Sequence, residues 1–533
     1  MSKRPSARDW GQLGSAVGEA LHDQAQRRGL FEMGAELAHA GVTLEILQAV
    51  LREGPRARPD HDRLQGLFFL FAAGLSELRI SANGGDTGAG RRRDEIMAFV
   101  DAEARNGGVA SPLAGPLARA LAETGLTPPA SLQAVFEATL ESRARTDRRE
   151  SAPTDGSESL AALARSLDHD PFAIHTELSM ALAAFPANNR AMFIAALFAS
   201  AQPAVRAAAL GFLLDPEPAT ASAALAGVLK AGAKGADDAT VARLACIRPW
   251  LAKGRRAQIE GAIAALGREP IPPPTPAKGE TRQCIATVCD GAGAQSLGVT
   301  VKRGRRWALA MVLVKQEGGV ADAWVADDLS KAEATRLSRE ITQAAGGVTV
   351  SMDYVLRRIA HALTGNIPSP PPPFGLVNVF EVIGAGPLEP DAGAVEDRLA
   401  VLIGPAPPRG ADSKRMAAAH AFSRDWRDPS WFEAGDDVET LLAPLTSRKQ
   451  RRAALLDVLL QTRRRLWADR LAWTAAALRE AAPGDRTWTD MALIARDLLG
   501  DDPLDTMPLM REIAEVSVEV FTRSRTAPRT RRR

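Results

Sequence analysis

Apolar and polar residues alternate with a period of two, the pattern of a β-strand, in one part of this 533-residue chain, residues 280–400. Two helices are predicted among the strands, at residues 330–344 and 354–363, the first with a capping box of Ser330 and Glu333. The pattern predicts one α+β module in a mainly α chain. The predicted strands are residues 284–289 (CIATVC), 297–302 (LGVTVK), 307–315 (WALAMVLVK), 320–325 (VADAWV), 348–352 (VTVSM) and 377–383 (VNVFEVI).

Proline-rich and polar segments divide the chain. Residues 270–276 (PIPPPTP) and 368–373 (PSPPPP) predict extended connectors, because proline lacks a backbone donor and disfavours helix in the residue before it. A polar, turn-rich segment lies at residues 148–159. We therefore expect an N-terminal helical region at 1–150, a repeat-like helical region at 158–267, the module at 280–400, a C-terminal helical region at 411–521 and a basic disordered tail at 523–533.

The region 158–267 has the most regular helical pattern. Helices are predicted to begin near Ser159, Pro171, Asn188, Pro203, Pro218, Asp238 and Arg255, each about 10–15 residues long. Residues 202–214 (QPAVRAAALGFLL) resemble the second half of a HEAT-type repeat, which implies stacked helix pairs with an extended binding surface. The alternative is a non-repeating bundle rich in Ala and Leu.

Composition limits the function classes. With 46% hydrophobic and 24% charged residues, the chain is neither disordered nor fibrous. The net charge of +2 excludes a globally basic nucleic-acid binder, and three cysteines exclude a disulfide framework. The most apolar runs are shorter than a membrane span, and the first residues lack the pattern of a secretory signal. We therefore expect a cytoplasmic protein without a membrane partner.

Three acidic positions in the module suggest a catalytic alternative. Asp290 follows the first strand, Glu333 or Glu340 lies on the helix, and Asp353 follows the next strand. This order resembles the ribonuclease H-like fold, which implies that these carboxylates hold Mg²⁺ for phosphodiester cleavage. The other interpretation is structural: Asp290 in a turn, Glu333 in a cap and Asp353 as an N-cap. No cofactor other than Mg²⁺ is implied, and the seven histidines and three cysteines show no paired metal-ligand spacing.

A basic and aromatic segment indicates nucleic acid as an alternative partner. Its residues are Arg463, Arg464, Arg465, Trp467 and Arg470, and arginine beside tryptophan can bind phosphate and stack on bases. The other interpretation is an amphipathic helix with solvated arginines and a buried apolar face. The tail 523–533 adds six arginines and no acid.

A second aromatic cluster contains Trp426, Trp431 and Phe432. In a chain with 5% aromatic residues, it predicts either the packing centre of the C-terminal region or an exposed protein-binding site. Helical arrays form binding surfaces without a catalytic pocket, so we expect a non-catalytic scaffold or adaptor with a protein partner. The alternatives are the metal-dependent nuclease and the nucleic-acid-binding protein.

Overall fold

The computed structural model describes residues 7–21, 36, 41–54, 60–83, 87–150, 156–235, 237–266, 279–344, 346–367, 370–405 and 413–526. The chain divides into two compact units, Met1–Phe193 and Ile194–Arg533. The prediction of a mainly α protein with one α+β module is confirmed, since a single five-stranded sheet is flanked in sequence by helices. The connector at 270–276, residues 368 and 369 of the second proline stretch, and the tail beyond residue 526 lie outside the described residues.

The first unit is built from helices around an apolar core that includes Ile46, Leu70 and Phe71. Its helix α8 begins as predicted at Pro171, where the Asp170 carboxylate accepts the backbone N–H of Phe172 at 2.9 Å. The helices are α1 (Ala7–Ala20), α2 (Thr43–Glu53), α3 (His61–Asn83), α4 (Thr87–Arg105), α5 (Ser111–Glu123), α6 (Ala130–Glu150), α7 (Gly156–Ser166) and α8 (Pro171–Ala183), and α9 (Ala187–Phe198) spans the boundary between the units.

Helices α1 and α3 approach each other closely because glycines lie at their contact. A Cβ atom on Gly66 would lie 2.0 Å from the carbonyl oxygen of Gly14, and one on Gly18 would lie 2.0 Å from that of Asp62. Within the described residues, the segment His61–Ala82 of α3 has the length and hydropathy of a membrane span, and 39% of it is buried inside the protein. Its buried residues Leu67, Leu70, Phe71, Leu75 and Leu78 belong to the apolar core of this unit.

The second unit begins with short helices whose starts agree with the predicted ones. Proline occupies the first position of α10 and of α11, where its missing N–H has no helical partner to lose. In α12 the Asp237 carboxylate caps the backbone N–H of Thr240 at 2.8 Å. These helices are α10 (Pro203–Ala209), continued by a 3₁₀ turn (Leu210–Leu214), α11 (Pro218–Gly235), α12 (Asp238–Ile247), followed by a 3₁₀ turn (Arg248–Trp250), and α13 (Lys253–Ala265).

The sheet has the order β4-β3-β2-β1-β5, and every neighbouring pair is antiparallel. The predicted capping box is confirmed: Glu333 accepts the backbone N–H of Ser330 at 2.8 Å, and the Ser330 hydroxyl accepts that of Glu333 at 3.2 Å. The elements are β1 (Gly279–Ala286), β2 (Ala294–Arg303), β3 (Arg306–Lys315), β4 (Gly319–Leu329), α14 (Lys331–Ala344), β5 (Val348–Val350), α15 (Met352–Asn366) and α16 (Gly375–Ile383).

One predicted strand is wrong. Residues 377–383 lie within α16, which packs against β4. The helix can approach the strand because Gly375 has no side chain: a Cβ atom there would lie 1.9 Å from the carbonyl oxygen of Ala323. Buried Val377 and Phe380 face the core from a helix that ends at Gly384, whose φ of 69° is left-handed. Tertiary packing overrides the strand preference of the β-branched residues.

The C-terminal helices pack around buried Trp431 and Trp467, whose rings meet edge to face at a centroid distance of 6.2 Å. The basic segment divides into two parts, because the chain leaves the helical conformation at Arg463. The helices are α17 (Val395–Ile403), α18 (Ser413–Trp426), α19 (Asp436–Leu442), α20 (Arg448–Ala454), continued by a π-helical turn (Leu455–Leu459) and a short α turn (Leu460–Thr462), α21 (Arg464–Ala481), α22 (Arg486–Leu498) and α23 (Pro508–Thr526).

Polar contacts join the sheet to the C-terminal helices. The backbone N–H of Cys289 donates to the Thr474 hydroxyl at 3.2 Å, and Trp431 Nε1 donates to the Cys289 carbonyl at 2.8 Å. The hydroxyl of Tyr354 on α15 donates to the carbonyl of Trp473 on α21 at 3.0 Å. These contacts fix α21 against the sheet and α15, and so position the pocket described below.

Candidate ligand-binding pocket

The structure places the predicted catalytic carboxylates in separate local contacts. Asp290 Oδ1 accepts the backbone N–H groups of Ala292 at 2.9 Å and Ala294 at 2.7 Å, so it holds the turn between β1 and β2. Glu333 is the cap partner of Ser330. Glu340 is exposed and pairs with Arg336 on the same helix at 2.9 Å.

Asp290 follows β1 and Asp353 follows β5, and these two strands run in opposite directions. In the antiparallel pair of β1 and β5, Cys284 is opposite Val350 and Ala286 is opposite Val348. The chain therefore leaves β1 beside the start of β5 and leaves β5 in the opposite direction. Asp353 pairs with Arg357 at 2.9 Å, and the N-cap of α15 is Ser351, not Asp353. Nowhere in the described part of the chain do three or more His, Cys, Asp or Glu side chains form a metal-binding group.

The predicted nucleic-acid-binding arginines make contacts within the protein. Arg463 pairs with Glu433 and, at 2.9 Å, with Asp437. Arg464 is buried and donates to the carbonyls of Leu498 at 3.1 Å and Asp502 at 2.7 Å. The exposed Arg465 donates both Nη groups to the Glu396 carboxylate at 2.6 Å.

Trp467 and Arg470 are both buried. Trp467 Nε1 donates to the buried Glu433 carboxylate at 2.7 Å, and the Arg470 guanidinium lies 4.6 Å from the centre of the Trp467 ring. Arg470 Nε donates to Gln316 at 2.8 Å. The tryptophan ring is therefore closed to base stacking. Arg464, Trp467 and Arg470 lie on the packed side of α21, whereas Arg465 is exposed.

The predicted aromatic partner site is mainly internal. Trp431 is fully buried in the C-terminal core, and Phe432 is half-buried. Trp426 ends α18, and its side chain lies outside the described residues. Trp431 therefore has the packing role, which was one of the two interpretations that the sequence allowed.

A pocket that sequence reasoning missed lies between α15, α17 and α21. Its volume is about 240 Å³. It is lined by Tyr354, Arg357, His361, Asp391, Gly393, Ala394, Asp397, Arg398, Val401, Leu402, Trp473, Ala476, Arg479 and Glu480.

The indole of Trp473 is the aromatic centre of the pocket wall, and it is 4% exposed. The Arg398 guanidinium lies 4.4 Å from the ring centre, and that of Arg358 lies 5.0 Å from it. The rings of Tyr354 and His361 also contact it, with centroid distances of 5.8 and 5.4 Å. Cation–π attraction stabilises the two guanidinium groups where water is excluded.

Asp469, one helical turn before Trp473 on α21, is the acidic group of this cluster. It pairs with Arg398, accepts Gln316 Nε2 at 3.3 Å and lies 3.6 Å from His361 Nε2. Burial acts to raise the pKa of Asp469, but the contact with His361 and the charges of Arg398 and Arg358 outweigh it and lower the pKa to about 2. Asp469 is therefore ionised at neutral pH and orients Arg398 and His361.

Three buried polar atoms of pocket-lining residues have no hydrogen-bond partner among the residues that the structure describes. They are Trp473 Nε1, Arg398 Nε and His361 Nδ1. The indole and guanidinium nitrogens are donors only, so an acceptor atom must satisfy them. Leaving a buried donor unsatisfied costs about 1–3 kcal/mol. Each such group calls for an explanation, such as an ordered water or a ligand, and three of those found in the described residues belong to the lining of this one pocket, which makes it the candidate site.

The more exposed part of the pocket carries both signs of charge. Asp391 and Asp397 are exposed, and Glu480 accepts the backbone N–H of Ser351 at 2.5 Å. Arg357 lies 3.7 Å from Glu480, and Arg479 donates to the carbonyl of Val401 at 2.8 Å. The three acids outnumber these two arginines by one, which leaves this part of the pocket slightly acidic.

Two segments of this chain match known domain families. Residues 186–269 match the family described as the Y4lR second domain, and residues 396–522 match the Y4lR C-terminal helical domain. The uncharacterized protein y4lR of Sinorhizobium fredii (strain NBRC 101917 / NGR234) is 29% identical over 357 residues. This match covers 63% of the chain and 66% of the relative, just under two thirds of its length. No solved structure matches the chain.

Three central residues of the pocket, Arg398, Asp469 and Trp473, lie within the segment that matches the Y4lR C-terminal helical domain. The other wall comes from α15, which precedes that segment. The pocket is thus assembled from the matched helical domain and from the module that contains the sheet.

Proposed function

We propose that the protein is a non-catalytic adaptor that binds a protein partner through its helical surfaces. The pocket between α15, α17 and α21 receives a side chain or chain terminus of that partner. The observation that carries the proposal is the pocket itself, a cavity of about 240 Å³ with the indole of Trp473 in its wall and Arg398 and His361 beside that ring. A partner side chain that fills the pocket would bury the apolar surface that the lining residues expose.

The size of the pocket favours part of a polypeptide over a large cofactor. Small-molecule sites have volumes of about 300–1,000 Å³, and this pocket, at about 240 Å³, lies below that range. The rest of the partner would contact the surrounding helices, as in recognition modes where one anchor side chain enters a pocket. The short helices α10 to α13, two of which begin with proline, favour a HEAT-like array as part of the scaffold. A cytoplasmic location fits its three free, buried cysteines.

Selection of random peptides displayed on phage tests the proposal. The full chain is the bait, and the enriched peptides are resynthesised and titrated against the wild type and two variants. Ala476→Phe fills the pocket, because Ala476 lines it, whereas Ala400→Phe adds the same bulk at an exposed position of α17 outside the pocket.

The adaptor proposal predicts peptides that bind the wild type and Ala400→Phe equally and bind Ala476→Phe at least tenfold more weakly. Peptides that bind all three proteins with the same affinity would show that the pocket is not the binding site. A selection that enriches no binding peptide would count against the adaptor itself.

A further inference from the structure

A second pocket lies among the short helices of the second unit, within the segment that matches the Y4lR second domain. Its volume is about 250 Å³, and it is formed by α11, α13 and the segments that follow α10 and α12. Its inner surface is apolar: Leu213, Leu251 and Ile259 are each no more than 3% exposed, and Leu225 is half-buried. The pocket is therefore suited to an aliphatic group, whose removal from water is favourable.

The charge of this second pocket comes from Arg255 on α13, and no acid is found among its lining residues, all of which the structure describes. The guanidinium is half-buried and donates from Nη2 to the carbonyl of Leu213, which places it at the pocket wall. Burial lowers the pKa of Arg255, and the charge of Asp215, which lies outside the lining, acts in the opposite sense. The lining therefore combines one positive charge with an apolar surface.

The other donors of Arg255 are open to a ligand. Its Nε and Nη1 groups make no hydrogen bond within the described part of the chain, and neither belongs to the fully enclosed polar atoms. Hydrogen bonds from a guanidinium group to a carboxylate are short and about twice as strong as those between neutral groups. A carboxylate that approaches from solvent can therefore bind Arg255 while an attached aliphatic group enters the pocket.

A polypeptide offers an aliphatic group and a carboxylate on one residue at its carboxy terminus. Elsewhere the main-chain carboxyl groups are used in peptide bonds. The volume of the pocket is below the range of about 300–1,000 Å³ for small-molecule sites, so it suits one side chain better than a long hydrocarbon chain. Two exposed lining residues, Ser222 and Gln258, offer a hydroxyl and an amide to the peptide group that precedes the terminal residue. Capture of a terminal carboxylate is a recurring mode of peptide recognition.

We propose that the second pocket binds the carboxy-terminal residue of a polypeptide, with an aliphatic side chain against Leu225 and Leu251 and the terminal carboxylate on Arg255. The inference goes beyond the proposed adaptor function, because it concerns a different pocket in a different domain. It requires no occupant in the pocket beside Trp473.

Short peptides test the inference without a natural partner. The full chain is titrated by calorimetry, at constant ionic strength, with N-acetyl-Gly-Gly-Leu that has a free carboxy terminus. The comparisons are its carboxamide, which lacks the charge, N-acetyl-Gly-Gly-Gly, which lacks the aliphatic group, and 4-methylpentanoate, the free acid with the carbon skeleton of leucine. We expect the carboxamide and the glycine peptide to bind at least tenfold more weakly, and 4-methylpentanoate at least threefold more weakly.

Two pairs of variants locate the peptide. Ser222→Leu adds bulk to the lining, whereas Ala226→Leu adds bulk one turn later on α11, at an exposed position outside the lining. Arg255→Gln removes the charge of the pocket, whereas Lys253→Gln removes an exposed charge of α13 outside the lining. We expect Ser222→Leu and Arg255→Gln to weaken binding about tenfold, which is about 1.4 kcal/mol, and the two controls to bind as the wild type does.

The outcomes separate this inference from the adaptor proposal. No binding of the leucine peptide, equal binding of its carboxamide, or full affinity in a folded Ser222→Leu or Arg255→Gln variant would overturn the inference. Equal binding of 4-methylpentanoate would overturn the assignment to a polypeptide. Ala476→Phe, which fills the first pocket, should leave the affinity unchanged, and a loss of binding there would place the peptide in the first pocket. Thermal unfolding shows which variants are folded, and Ser222→Leu decides if Arg255→Gln is not.

Discussion

Replacement of Asp469 by asparagine tests the physical reasoning about the pocket most directly. Burial alone would raise the pKa of Asp469, but the contact with His361 and the charge of Arg398 lower it from 3.8 to about 2. A pKa difference of one between the folded and unfolded states corresponds to about 1.4 kcal/mol, so the ionised carboxylate stabilises the folded state by about 2 kcal/mol. Asp469→Asn also leaves Arg398 without its ionic partner, and breaking buried pairs costs about 3–5 kcal/mol. We expect a loss of about 2–4 kcal/mol at pH 7.

The dependence on pH separates the ionic contribution from the effect of packing. The pKa of Asp469 is lower in the folded state than in the unfolded state, so its stabilisation is complete well above pH 3.8 and is lost as the pH falls toward 2. The difference between wild type and variant should therefore shrink by about 1 kcal/mol between pH 7 and pH 3. Urea unfolding followed by tryptophan fluorescence is a suitable assay, because eight of the nine tryptophans lie in the second unit.

Asp397→Asn is the matched control. Asp397 lines the same pocket but is exposed, so its replacement should change the free energy of unfolding by less than about 0.5 kcal/mol. An Asp469→Asn variant as stable as the control would refute the buried cluster as described. A difference from the wild type that stayed constant from pH 7 to pH 3 would refute the lowered pKa as its cause.

Two further predictions concern other parts of the chain. Gly66→Ala should destabilise the first unit by about 1–2 kcal/mol, because the added Cβ atom would lie 2.0 Å from a backbone oxygen of α1. Faster amide hydrogen exchange in α1 and α3 would show this loss, and slower exchange would contradict it. Burial raises the pKa of all three cysteine thiols, that of Cys284 to about 11. At pH 8 the folded protein should therefore not react with Ellman's reagent, whereas the unfolded chain should react at three thiols. A stoichiometric reaction of the folded chain would show that the thiols are accessible.

Local sequence signals predicted most of the secondary structure. The capping box of Ser330 and Glu333 forms as expected, and prolines at positions 171, 203 and 218 begin helices, because these signals act within one helical turn. The strand prediction for residues 377–383 is wrong because the conformation there depends on a contact that is distant in sequence. The run VNVFEVI is apolar and β-branched, and a run of seven such residues is compatible with a strand or with a buried helix. The approach of Gly375 to β4 selects the helix, and that contact is remote in sequence.

The candidate site was less accessible to sequence reasoning. Asp290 and Asp353 both follow strands in the sequence, but the antiparallel pairing of β1 and β5 makes the chain leave these strands in opposite directions. The arginines and Trp467 form a basic and aromatic cluster in the sequence. In the structure, acids up to about 70 residues away pair with Arg463 and Arg465. Sequence alone could not reveal the pocket, because Arg398, Asp469 and Trp473 are joined by no motif with a fixed spacing.

The sequence by itself determined a mainly helical chain with one sheet near residues 280–400, because periodicity, caps and proline positions act over a few residues. Only the tertiary structure decided which charges are neutralised and which remain. Arg463 and Arg358 are indistinguishable as letters, but the first meets Glu433 and the second meets a neutral amide and an indole ring. Electrostatic energy depends on distance and burial, and these are set by the packing of α15, α17 and α21 against one another and not by the order of residues along the chain.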